Sequence, residues 1–222
     1  RILNGTLTSV GSGVINAVNA NQYLTNVTLS AGSNLRVQND ALYANTTLTN
    51  NGTITLGGSA GTADLRSESP NLTISGTGTI VLDNSLGAAR IFGGNITFGS
   101  NQSLRGGGQL GVNQTIITNN GLFSANSGSS LSIDVTGGNG GVGNPNGVGT
   151  NLASGLLNNN IIEATGGSTI SLEGGLYENA LGGIIRATNN SFINLNNDSR
   201  ILNGTLTSDA TSVIQAFGQT QY

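Results

Sequence analysis

Residues 1–23, RILNGTLTSVGSGVINAVNANQY, return as residues 200–222, RILNGTLTSDATSVIQAFGQTQY, with 14 of 23 positions identical at an ungapped offset of 199. A chain that closes on its own opening phrase is built from repeats, and internal repetition constrains a fold more than any local motif. The chain reads as one period of a longer repetitive polymer, and the offset predicts that the coil register restarts once per 199 residues. Head-to-tail continuation, covalent or by association, is expected. With no initiator Met and no signal-peptide pattern, the sequence reads as an internal or processed piece.

Finer copies of one phrase fill the interval: GTLTSVGSGVINAV from Gly5, GLFSANSGSSLSID from Gly121, NIIEATGGSTISLE from Asn160, GIIRATNNSFINLN from Gly183 and GTLTSDATSVIQAF from Gly204. Looser copies begin at Asn26, Gly52, Gly78 and near Asn95 to Gly99. The intervals are about 21 to 26 residues, except for 39 between Gly121 and Asn160, where a Gly-rich stretch, GGNGGVGNPNGVG, is inserted. Within the phrase apolar and polar residues alternate, as in Ile170-Ser171-Leu172 and Ile193-Asn194-Leu195, which is the period of half-buried strands. No stretch sustains a helical period, so almost no helix is expected.

Asn-Gly pairs at Asn4-Gly5, Asn51-Gly52, Asn120-Gly121 and Asn203-Gly204 are nominal hairpin signals. The whole phrase, however, returns with the same turn and the same apolar offsets, which suits coils stacked in parallel better than a meander or sandwich. The predicted fold class is all-β, a single-stranded parallel β-helix (β-solenoid) of about nine coils of 21–26 residues. It forms one continuous segment over 1–222, with a Gly-rich loop insertion at 137–150 that projects from the rod.

Composition removes most catalytic chemistry. Cys, His, Met, Trp and Lys are absent, so there is no Ser-His-Asp or Cys-His system, no nitrogen or sulfur zinc site and no Schiff-base lysine. Any metal would be a hard cation on oxygen ligands, in practice calcium. A net charge of −3 offers no basic footprint for nucleic acid, and no apolar run is long enough to insert in a membrane as a helix. Only 8% of residues are charged, a composition common in large secreted bacterial proteins, so an extracellular, cell-surface or secreted location is expected.

The segments NNGLFSANSGSSLSI (119–133), NNNIIEATGGSTISL (158–172) and LGGIIRATNNSFINL (181–195) resemble the repeats of filamentous haemagglutinin-like and autotransporter-type bacterial surface adhesins. The resemblance covers nearly the whole chain. It implies a right-handed β-helix, export to the cell surface, and adhesion or matrix formation, with host or environmental glycans or surfaces as partners beside the protein itself.

If coils stack, aligned positions become neighbours. Glu163 falls opposite Arg186, a surface ion pair worth a fraction of a kcal/mol. Asp134 falls opposite Glu173, with Asn196 next, just before the Gly-rich insertion. A solvated outer face is the default for this pair. Two adjacent carboxylates could instead share a calcium ion, making Asp134 and Glu173 weak metal candidates, or act as nucleophile and acid in glycoside hydrolysis. No catalytic or cofactor-binding residue is assigned. Phe192, Val213 and Phe217 occupy outward columns where earlier copies carry polar residues, and an apolar strip on a polar rod is expected to be a self-association surface. Eleven Asn-x-Ser/Thr sequons exceed chance only slightly, and Asn in turns and stacked ladders explains most of them.

These observations predict a structural, non-enzymatic solenoid module: a stiff adhesin stalk or head-to-tail fibre with inward aliphatic ladders through Ile162, Ile185 and Leu206. The alternative is a glycan-binding or glycan-cleaving β-helix such as a phage tailspike segment. Ice binding fits poorly, because Thr-x-Thr motifs such as Thr53-Ile54-Thr55 do not recur at a fixed place in each coil.

Overall fold

In the computed structural model, which describes residues 1–18, 21–136 and 155–217, the chain is a β-solenoid of about eight turns, with no helix among the described residues. Every strand pairing among them is parallel. The Asn-Gly pairs therefore turn the chain at corners of a coil and make no hairpin. The Gly-rich insertion at 137–150 lies outside the described residues.

Each coil visits three faces in the same order. Face I is the stack Ile15–Ala17, Asn34–Val37, Thr53–Gly57, Thr79–Asp83, residues 103–107, Leu122–Ala125, Ile161–Ala164, Ile184–Ala187 and Thr205–Ser208. Face II carries, in its later coils, Ala88–Phe92, Ser130–Ile133, Thr169–Glu173, Phe192–Asn196 and Val213–Ala216. Face III ends each coil with Asn95–Phe98, Ile116–Asn119, Leu156–Asn158, Leu176–Asn179 and Arg200–Leu202. In the early coils single long strands, Asp40–Asn50 and Thr62–Ser75, run across faces II and III.

The face I register fixes the coil lengths. Ile15 lies opposite Leu35, then Ile54, Ile80, Leu104, Phe123, Ile162, Ile185 and Leu206 in turn. Coils are thus 19 to 26 residues long, apart from the one of 39 that holds the insertion. They are shorter in places than the phrase intervals suggested, because the phrase marks a corner and not a coil. From Asn26 it runs from face III to face I, and from Gly52 it runs from face I to face II.

Alternation sends one set of side chains inward. Leu35, Ile54, Ile80, Leu104, Phe123, Ile162 and Ile185 are fully or almost fully buried, whereas Leu206, on the last coil, is 46% exposed. Polar ladders replace aliphatic ones where face III turns into face I. There Asn119 Nδ2 donates to Asn158 Oδ1 at 2.8 Å, and Asn158 Nδ2 donates to Asn179 Oδ1 at 2.7 Å, with all three residues buried. Their remaining groups hold the corner backbone: Asn119 Oδ1 accepts from Gly121 N, and Asn179 Nδ2 donates to Thr205 O. Buried amides are tolerated because each finds partners along the stack.

Corners between faces II and III use left-handed residues: Asn4, Asn26, Thr46, Gly93 and Gly94, Val112 and Asn113, Gly174 and Gly175, Asn197 and Asp198 all have positive φ. Asn and Gly adopt that conformation most readily, which is a physical reason for the chain's richness in both. The sequon residues Asn4, Asn26, Asn113 and Asn197 are left-handed at these corners, and Asn189 and Asn203 are left-handed at the other two.

Candidate functional site

The outer surface of face II lines up aromatic and charged side chains in one column. By register it contains Arg1, Tyr23, Tyr43, Arg66, Phe92, Gly111, Asp134, Glu173, Asn196 and Phe217, one from each successive coil. Outward columns of this kind hold only what stacking and hydration permit, since the inward residues are committed to the core.

The first half of the column is closed upon itself. The Tyr23 and Tyr43 rings stack at 4.9 Å with an interplanar angle of 17°. The Arg1 guanidinium lies 5.2 Å from the Tyr23 centroid, and that of Arg66 lies 5.7 Å from Tyr43 and 4.9 Å from Phe92. Both faces of each tyrosine are therefore covered, by a neighbouring ring on one side and a cation on the other. A sugar ring needs an uncovered aromatic face to stack on, and neither tyrosine offers one.

Beside this ladder Asp64 is buried, its side chain only 2% exposed, between Arg66 and Arg90. Arg66 donates to Asp64 Oδ2 through Nε at 2.9 Å and also through Nη2, while Arg90 donates through Nε to Oδ1 at 2.7 Å and through Nη2 to Oδ2 at 2.9 Å. Arg66 Nη1 completes the fork with a 3.2 Å bond to the Tyr43 hydroxyl. The Asp64 hydrogen bonds raise the Arg66 pKa above its ordinary value, so this guanidinium stays charged at any accessible pH. The centre engages both carboxylate oxygens with guanidinium donors. It locks three coils together.

Gly111 ends the ladder. A Cβ there would sit 2.2 Å from the Asp134 carbonyl oxygen, so the coils approach too closely for any side chain.

Beyond it the column is polar and open. Asp134, Glu173, Asn113 and Asn197 line a cleft of about 360 Å³. Burial and the neighbouring Glu173 carboxylate raise the Asp134 pKa above the ordinary carboxylate value. Glu173 accepts from Asn196 Nδ2 at 2.9 Å and from Asn197 Nδ2 at 3.0 Å. The structure thus brings together the two carboxylates and the asparagine that the sequence aligned. The pair is two oxygen-bearing groups where calcium takes about 6–8 oxygens, and no cluster of three or more His, Cys, Asp or Glu forms among the described residues. Beneath the cleft the buried Tyr177 hydroxyl donates to the Ile133 and Glu173 carbonyl oxygens, and burial holds its pKa well above the usual phenol value.

Glu163 and Arg186 are opposite each other on face I and joined through Nε at 2.9 Å, with Ser124 Oγ donating to the other carboxylate oxygen. Phe192 and Val213 are neighbours on face II, 39% and 41% exposed, and Phe217 follows in the column described above at 49%. The sequence did not reveal the Asp64–Arg66–Arg90 centre or the tyrosine ladder. Tyr23, Tyr43 and Arg66 are separated by unequal steps and the two tyrosines fall outside the phrase copies, whereas Asp64 and Arg90 sit at the same place in the loose copies from Gly52 and Gly78 and were open to alignment.

Fold and surface together define a parallel β-solenoid. Comparison with protein-family models, with curated proteins and with solved structures gives no match to this chain.

Proposed function

We propose that this chain is a non-enzymatic structural segment of a large extracellular or cell-surface bacterial protein, serving as a stiff adhesin stalk or as one length of a head-to-tail fibre. The observation that carries the reading is a parallel solenoid whose opening phrase returns one array period later in the same chain. Along the rod the interior is mainly aliphatic, with buried asparagines at one corner. Solenoids extend by adding coils, and the phrase of residues 1–23 returns at 200–222 as it would in a tandem array. The resemblance of the 119–133, 158–172 and 181–195 segments to adhesin repeats supports surface display, where many weak contacts along a rod add through avidity.

The test is sedimentation velocity over a range of concentrations, with electron microscopy of the same samples. The proposal expects end-to-end association into rods of constant width, suppressed by Leu206→Glu on the last coil. Compact particles that stay the same size in both proteins would count against it.

One observation favours a second reading, glycan cleavage. A carboxyl kept protonated more readily by burial, beside a carboxylate held by two amides, is the polarity a glycosidase pair needs. Hydrolysis of a polysaccharide panel that vanishes in the Asp134→Asn, Glu173→Gln double variant would support it. No hydrolysis by the parent chain would leave the structural reading alone.

A further inference from the structure

The two copies of the opening sequence keep their local conformation but occupy different faces. At the N-terminal end Ile2–Leu3 pairs with Leu24 and Thr25 where face II ends, Thr6–Leu7 pairs with Thr28 and Leu29 on face III, and Ile15–Ala17 pairs with Leu35 to Val37 on face I. In the second copy Arg200–Leu202 pairs with Leu176 to Glu178 on face III, Thr205–Ser208 pairs with Ile184 to Ala187 on face I, and Val213–Ala216 pairs with Phe192 to Leu195 on face II. All three strands have advanced by one face. The turn between the first two keeps its left-handed Asn, with φ 53° at Asn4 and 60° at Asn203, yet it now makes a different corner.

The register expected to restart every 199 residues restarts out of phase. From Ile15 to Leu206 face I is revisited through eight successive pairings, and the step from Leu7 on face III to Ile15 on face I adds one more corner. We infer that the repeating unit of this protein spans eight turns plus one face, so that each successive unit carries the same side-chain columns one face further round the rod, about a third of a turn. This rests on the tandem reading above only for its consequence in an array; the phase change itself lies within this chain.

The sequence can change face without penalty because each face asks the same of it: two inward aliphatic positions two residues apart, followed by a corner that Asn or Gly can turn. Ile15 and Ala17 meet the demand on face I, and their copies Ile214 and Ala216 meet it on face II. The outward residues move with them. Val14 and Val18, 46% and 39% exposed, flank the face I strand, while Val213 and Phe217 do so on face II. Three units in tandem would show this apolar pair on all three sides of the rod, so lateral partners could approach from any direction and a fibre would not be confined to a flat sheet.

The test is thiol cross-linking in the full chain, which has no cysteine of its own. Stacked outward positions lie about 4.8 Å apart, within reach of a short bifunctional thiol reagent. Asn16 and Gln215 are equivalent in the two copies, Asn16 lying opposite Arg36 on face I and Gln215 opposite Asn194 on face II. The double variants Asn16→Cys, Arg36→Cys and Asn194→Cys, Gln215→Cys are both expected to link in near-complete yield. All four positions are outward, and an unchanged β-sheet circular dichroism spectrum verifies that each variant is folded. If the first copy were in phase with the second, Asn16 would lie on face II near Ala41. Linkage of Asn16→Cys to Ala41→Cys, with none to Arg36→Cys, would overturn the inference. Rods without rotation between units would also overturn it while sparing the tandem reading, and linkage of both pairs with no rods formed would overturn only the tandem reading.

Discussion

The face II column is one lattice line with two unlike halves. From Arg1 to Phe92 its side chains satisfy one another, ring on ring and cation on ring, with Asp64 neutralised by two guanidiniums alongside. From Asp134 to Asn196 the same line carries two carboxylates on adjacent coils, relieved only in part by asparagine amides. Both halves rest on the same backbone pairing and the same aliphatic interior. The contrast teaches that the solenoid sets spacing only. Whether a column becomes a closed structural ladder or an open polar cleft depends on which side chains are placed one coil apart.

The comparison is broken most severely by removing both cations from Asp64. Arg66→Met with Arg90→Met leaves a buried carboxylate without donors and is expected to cost about 3–5 kcal/mol in denaturant unfolding. Asp134→Asn, in the open half, should cost nothing at neutral pH and slightly stabilise the fold. Equal losses in the two halves would refute the distinction between them.

A smaller effect comes from the interior beneath the open half. Asn158→Ala leaves the Asn179 side-chain carbonyl without its donor and the Asn119 amide with only the Ile161 carbonyl oxygen, with an expected loss of about 2–3 kcal/mol because buried polar groups lose partners. Smaller again, Tyr43→Ala removes the ring stack and the Arg66 hydroxyl contact, and its aromatic component is about 0.5–1.5 kcal/mol beyond the area lost. Hydrogen exchange should then rise locally around residues 22–25 and 62–66 while the last coils stay protected.

Acid titration gives the finest discrimination, because two carboxylates have opposite signs. Asp134 has a raised folded-state pKa, so its favourable contribution is complete below the unfolded value of about 4 and is lost as pH rises through the folded value. Asp209, whose carboxylate accepts from the Asn189 backbone N–H and from Thr211, has its pKa lowered to about 2. Its contribution is present above the unfolded value and is lost as pH falls towards 2. Asp134→Asn should flatten the stability profile above pH 4, and Asp209→Asn should flatten it below. Unfolding curves collected at several pH values for each variant decide the matter.

What the sequence disclosed followed the regularity of its coils. Glu163 and Arg186, Asp134 and Glu173, and the strip through Phe192 and Val213 lie where the phrase begins at the same corner in successive coils, so alignment by eye put neighbours together. Asp64 and Arg90 are the same chemistry one coil apart, but the early coils differ in length and the phrase changes corner between Asn26 and Gly52. They nevertheless sit at the same place in the loose copies from Gly52 and Gly78, so aligning those two copies would have paired them. The tyrosine ladder was illegible because Tyr23 and Tyr43 fall outside the phrase copies, and the change of face between the terminal copies was invisible because all three faces accept the same apolar alternation.

The central claim is that this chain is one length of a continuing rod. Cryo-electron microscopy of the whole natural protein tests it most directly. The account predicts uniform solenoid rods with about 4.8 Å between layers and a unit advance of about 40 Å, each unit turned by one face from the last. Discrete particles whose end coils are covered by a different fold would contradict it.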